Sequence, residues 1–293
     1  MARTGYHLVD PSPWPFTASL SGLGLTSSLV VFFHEGLSYK CVVFLMCGFF
    51  LLVLTAFRWW GDLVVESTYL GHHTKLVVFN LYYGFWLFVL SEACLFLSFF
   101  WAFLYFGIGE LSQQGFGYWP PLGVKTINPW KVALLNTAVL VGSGFFVNWA
   151  HRAVKAHGKS PLSPPYRKTK KQRMWSLNES VTSLRWRKHG LISLGVTILL
   201  GIFFTLLQAT EYYMVSYTMA DSAFGSAFFI LTGFHGAHVI AGTVFLTVCW
   251  FRLYYFHFSY RHHHFGMYAA TMYWHFVDAI WIFVYFIVYI WGR

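Results

Sequence analysis

Long apolar and aromatic runs, separated by short polar intervals, recur from one end of the chain to the other. Seven are long enough to matter: Trp14 to Phe33, Cys41 to Arg58-Trp59-Trp60, Asn80 to Phe106, Val132 to Ala150, Leu191 to Thr210, Ser222 to Phe251, and Phe265 to Trp291. A hydrocarbon core of roughly 30 Å takes about 20 apolar residues of helix to cross, so each run predicts a membrane-spanning helix. The first two reach that length narrowly. The sixth runs for 30 residues without Asp, Glu, Lys or Arg, so it is expected to tilt or to project beyond the bilayer. No internal repeat stands out. The expected fold is an all-α integral membrane protein with seven transmembrane helices.

One residue breaks the third run. Glu92 lies near the middle of Asn80–Phe106, where a charge costs roughly 2.5–3.5 kcal/mol on insertion scales. Its neighbours three and four positions away, Phe88, Val89, Leu95 and Phe96, offer no partner. Glu92 therefore has to be neutral, paired across helices, or wetted. A mostly neutral carboxyl is the expectation.

Composition sharpens the class without changing it. The 293 residues are 57% hydrophobic, 22% aromatic and only 10% charged, which excludes an ordinary soluble domain. With the N-terminus inside, sixteen of the 20 Lys and Arg fall on the inner side, eleven of them between spans four and five. The positive-inside rule thus places the C-terminus outside. The basic segment 155–188 holds an extended Ser160–Pro165 tether and the run Arg167–Arg173. Ser176 and Glu179 then form a capping-box pattern, predicting a helix from Leu177 into the fifth span. Such a segment suits anionic lipid or simply solvent. No nucleic-acid-binding fold accompanies it. The four cysteines have no pairing or metal spacing and read as small apolar side chains. No secretory signal precedes the first run.

Three polar groups are candidates for chemistry. Fourteen histidines raise the question of a metal, and His235, His238 and His275 lie within spans, with Asp278 three residues after His275. Imidazoles ligate iron and copper, but no third ligand has forcing geometry, so interhelical polar pairing is the expectation for all four. Arg58-Trp59-Trp60, Glu66 and His72-His73 cluster at the inner end of the second span, where indole and imidazole donors suit a lipid headgroup. Glu211, in Gln208–Tyr213 at the outer end of the fifth span, is expected to bond a tyrosine.

Motifs in order along nearly the whole chain resemble subunit III of the haem-copper cytochrome c oxidases, most closely its mitochondrial form. They include Tyr6–Pro15, Trp59-Trp60, Glu66-Ser67-Thr68 with Gly71-His72-His73-Thr74, Ser91-Glu92, Phe99–Phe103 and Trp119-Pro120-Pro121. Leu135-Asn136-Thr137, Trp149-Ala150-His151, Thr205–Ala209, Gly233–Ile240 and Tyr273–Asp278 follow. The resemblance implies a two-helix bundle (1–65) and a five-helix bundle (66–293) around a lipid-filled cleft. It also implies no catalytic residue and no metal or cofactor in this chain, with bound phospholipids and with haem and copper in partner subunits I and II. Trp60, Glu66, His73 and Arg252 match headgroup positions, and Glu92 matches a glutamate facing the cleft. The implied work is support of proton uptake by subunit I, in the mitochondrial inner membrane, with the N-terminus in the matrix and accessory subunits alongside. The basic segment departs from that family, whose link there is short. Two other readings compete: a haem- or copper-binding redox protein using the histidines, and a proton channel centred on Glu92.

Overall fold

The computed structural model describes residues 5–36, 38–109, 119–158, 170–258 and 264–293. Among them the regular structure is entirely helical, and seven helices are long and apolar enough to cross a membrane. They are α1 (Trp14–Glu35), α2 (Tyr39–Thr68), α3 (Lys75–Ile108), α4 (Leu134–Gly158), α5 (Lys170–Met214), α6 (Ala223–Tyr254) and α7 (Phe265–Val284). π-helical turns over Pro129–Ala133 and Tyr285–Trp291 extend α4 and α7. The chain divides into two compact units, Met1–Asn80 and Leu81–Arg293, the boundary falling inside α3.

In the first unit, α1 starts where Pro13 precedes Trp14 and Pro15 occupies the first turn, a position that needs no N–H. It ends at Gly36, whose φ of 76° suits glycine and whose N–H donates to the Phe32 carbonyl. Ser38 caps α2 by accepting the Cys41 N–H. The two helices meet along small residues. Cys41, Gly48 and Thr55 are spaced by seven, and face Ser28, Leu25 and Thr17 respectively, so the pair is antiparallel. Gly48 is the closest point: a Cβ there would stand 2.9 Å from the Leu25 backbone nitrogen. Lipid tails are as apolar as side chains, so such close backbone packing replaces the hydrophobic drive of a soluble core.

The second unit packs differently, around aromatic rings. Trp274, on α7, is fully buried and lies against Gly201 of α5 and Gly242 of α6. A Cβ on either glycine would stand within 3 Å of the indole, 2.7 Å and 2.9 Å respectively. The indole N–H donates to Ser143 Oγ of α4 at 2.8 Å, so one residue of α7 engages three other helices. Trp281 repeats the device two turns along the same face, donating to Thr137 Oγ1 at 3.0 Å and packing on Phe204. On α5, Arg187 donates to the last-turn carbonyls Leu253 and Tyr254 of α6 and stacks over Phe256, closing that helix end with a cation.

The fifth helix departs from the expectation. It starts at Lys170, not Leu177, so Ser176 lies within the helix and is not its cap. Lys-Lys-Gln-Arg-Met are all good helix formers and outweigh a lone capping pattern. At 45 residues it is roughly 67 Å long, and only Leu184–Met214 is apolar enough to span. The tether and the first three residues of the basic run, 167–169, lie outside the described residues, as do His262 and His263.

Gly48→Val should lower the unfolding free energy of the α1–α2 unit by about 1–3 kcal/mol, because the obstruction is backbone and cannot rotate away. Protease resistance of that unit in mild detergent, titrated with denaturing detergent, reads the loss; unchanged resistance would contradict the close approach.

Candidate functional site

Glu92 stands near the middle of α3 and His238 near the middle of α6, so two helices of opposite direction bring them to the same depth. Glu92 Oε2 lies 2.8 Å from His238 Nε2. The other ring nitrogen, Nδ1, lies 2.7 Å from the Phe234 carbonyl oxygen. A carbonyl can only accept, so Nδ1 carries a hydrogen. The pair therefore holds one proton between Nε2 and Oε2. It is either a neutral acid donating to a neutral imidazole, or an imidazolium donating to a carboxylate. Both forms have no net charge, which is how an acid can stand in hydrocarbon at small cost. Phe96 presents its ring to the imidazole at 4.9 Å, and the Tyr273 ring stacks at 6.3 Å. The side chains keep 21% (Glu92) and 14% (His238) of their surface exposed, so the pair reaches the edge of the unit.

The other histidines go elsewhere. His235 is buried and its Nε2 lies 3.2 Å from the Val277 carbonyl oxygen, with Phe204 and Trp281 around the ring. Its geometry is that of a pin between α6 and α7. His275 Nε2 lies 3.0 Å from Asn148 Oδ1 of α4. Asp278 Oδ2 stands 4.0 Å from His275 Nδ1, too far for a hydrogen bond. Among the described residues, no three His, Cys, Asp or Glu side chains come together as they would around a metal ion.

Near the C-terminal end of α5, Glu211 is buried and accepts from Tyr289 Oη at 2.5 Å. The tyrosine comes from the π-helical end of α7, while the adjacent Tyr212 donates to Thr232. Asn136 donates to Gln208 Oε1, and Gln208 reaches Tyr289 Oη at 3.4 Å, so three elements share one polar string. In the following loop, burial and then the neighbouring Glu211 and Tyr212 raise the pKa of Tyr217.

Around the C-terminal end of α2, in the first unit, Trp60 is exposed while Glu66 and His73 are half-buried. The chain there is held in place: His7 stacks on His72 at 4.2 Å, Thr74 donates to the Gly5 carbonyl at 2.6 Å, and Trp14 donates to Asp62 at 2.6 Å. Arg252, on the last turn of α6, is half-buried with its guanidinium 4.8 Å from the Phe258 ring centre. Sequence reasoning passed over Asn148; an amide inside the apolar run Phe145–Ala150 was the available signal.

Comparison with known proteins adds a family. The model described as cytochrome c oxidase subunit III matches residues 4–163 and 177–293, its interruption falling within the basic segment. A protein named cytochrome c oxidase subunit 3 from Pisaster ochraceus is 45% identical over 287 residues, covering 98% of this chain and 97% of its own. Proteins of the same name from Canis lupus familiaris and Coturnix japonica are 44% and 45% identical over the same shares.

His238→Leu should destabilise the second unit by about 1–3 kcal/mol, because it leaves the Glu92 carboxyl without a partner. Glu92→Gln keeps a group that can bond Nε2, so it should cost less. Thermal unfolding of the two variants side by side reads the difference; equal losses would contradict the pairing.

Proposed function

The chain belongs to the cytochrome c oxidase subunit III family, and from that membership we propose that it holds phospholipid and supports proton uptake by the subunit that carries the oxygen chemistry. It is a non-redox subunit of an oxidoreductase complex, whose catalytic centre lies outside this chain. The proposed setting is the mitochondrial inner membrane, with the N-terminus and the basic segment in the matrix and the C-terminus in the intermembrane space. Its proposed neighbours are subunits I and II, which carry haem and copper, together with accessory subunits and anionic phospholipid.

The observation that carries the proton part is the Glu92–His238 pair. It keeps one transferable proton at mid-membrane without net charge, and exposure of both side chains at the edge of the unit leaves it reachable. A water or lipid beside the pair can then exchange with it, and moving the proton along a 2.8 Å line needs no rearrangement of the helices. The lipid part rests on Trp60, Glu66 and His73 around the end of α2 in the first unit, and separately on Arg252 in the last turn of α6 in the second. In the first unit, an exposed indole with a half-buried acid and imidazole nearby in the chain suits a phosphate and its ester-linked glycerol, and the half-buried guanidinium in the second suits a phosphate as well.

Glu92→Gln in the assembled oxidase should leave subunit content intact while slowing proton uptake or changing the phospholipid bound per complex. Proton uptake by reconstituted vesicles and lipid mass spectrometry of the purified complex read the two quantities. Wild-type values in both would refute the role given to Glu92.

A further inference from the structure

One polar group in the second unit faces the wrong way for a protein alone in lipid. His275 lies roughly 15 Å along α7 from its first residue, inside the hydrocarbon, and its partner Asn148 shares that depth. Asn148 is exposed and the His275 side chain keeps 32% of its surface accessible. Only one end of the amide is used. If His275 Nε2–H donates to Oδ1, both amide N–H bonds point outward; if the amide is turned over, its oxygen does. Either way, half of the Asn148 amide has no partner among the described residues. Behind the ring, Asp278 is 8% exposed and its Oδ1 is likewise unpartnered. The surrounding surface is mostly apolar, with Phe145, Trp149, Ile282 and Phe286 all exposed, and the exposed Arg152 stands one turn along α4.

We propose that this seam between α4 and α7 seats a transmembrane helix of another oxidase subunit, one that presents a hydroxyl or amide side chain to Asn148. The proposal rests on the chain's membership of an oxidase complex and adds the face and the chemistry of the contact. Acyl chains offer no hydrogen bond, and phospholipid esters sit at the interface, too far from His275 to reach it. A helix backbone is internally satisfied, so the complement must be a polar side chain. Polar side chains of this kind join helices across membranes, and the exposed aromatic rings on either side supply the packing area. Asp278 stands behind the imidazole at 4.0 Å without bonding it, so the ring's hydrogen bond is the one to Asn148. The Glu92–His238 pair serves as the internal contrast, since there both ring nitrogens find partners within the chain.

The test uses the wild-type complex, so no variant has to fold. Membranes containing the oxidase are loaded with a phospholipid bearing a photoactivated carbene precursor at mid-acyl chain, and labelled peptides of the purified complex are quantified. Phe145, Asn148 and Phe286 should carry at least about threefold less label than the exposed Leu199 and Leu206 of α5, because a packed helix excludes lipid. A smaller difference overturns the proposal, and so does a tightly held lipid in the seam, which would itself deliver label. Haem absorbance of the same preparation is a separate readout: a haem-free chain would sink the assembly reading rather than the choice of face.

Discussion

Inside a bilayer a polar side chain has little water to fall back on, and that constraint decides how this chain is put together. Each polar group in the spans must be matched by another part of the protein, and a match between helices is also a tie between helices. The Trp274 and Trp281 indoles tie α7 to α4, and the Trp250 indole ties α6 to the Leu191 carbonyl of α5. The Glu92–His238 pair ties α3 to α6. Serine and threonine within spans mostly close on carbonyls three or four residues back in their own helix, which satisfies the hydroxyl but joins nothing; Thr243 and Thr271 are examples. Among the described residues, the ties between helices draw heavily on ring nitrogens.

Packing has two solutions in one chain, and composition decides which applies. Between α1 and α2 the contact residues are small, so the backbones approach closely and the large side chains point outward. In the second unit the large rings turn inward, and glycine provides the space for them: Gly201 and Gly242 form a slot for the Trp274 indole. A ring held in a slot has one orientation, and that orientation aims its N–H at Ser143. Close packing and hydrogen bonding therefore select the same rotamer, which is what fixes a unique arrangement where hydrophobicity alone cannot discriminate.

Much of this was legible along the chain. Span number follows from run length, and Glu92 announced itself because a carboxyl in an apolar run is expensive wherever it lies. Its partner did not, because His238 is 146 residues away and nothing local to either residue encodes the meeting. The same limit hid Tyr289 as the partner of Glu211: the tyrosines next to Glu211 in sequence point elsewhere, since successive helical residues diverge by about 100°. The start of α5 was misplaced for a local reason. A serine and glutamate spaced for capping carry weight only where the preceding residues resist helix, and here they favour it. Asn148 was passed over because a single amide in an apolar span is cheap enough to look incidental.

That amide gains its meaning from comparison with Glu92. Two acid–imidazole arrangements, Glu92–His238 and Asp278–His275, stand within spans of the same unit. In the first, the imidazole uses both nitrogens inside the chain, and acid and base meet at hydrogen-bond distance. In the second, the acid stands too far from its imidazole, and the string of contacts ends on an amide that faces outward. Had both been merely structural, the cheaper design for the second would have been an apolar residue at 148, since replacing unsatisfied polar groups by apolar ones is neutral or stabilising. The exposed amide makes physical sense if the surface it faces is protein. The fold of this chain is thus completed at the α4–α7 seam by a helix it does not contain.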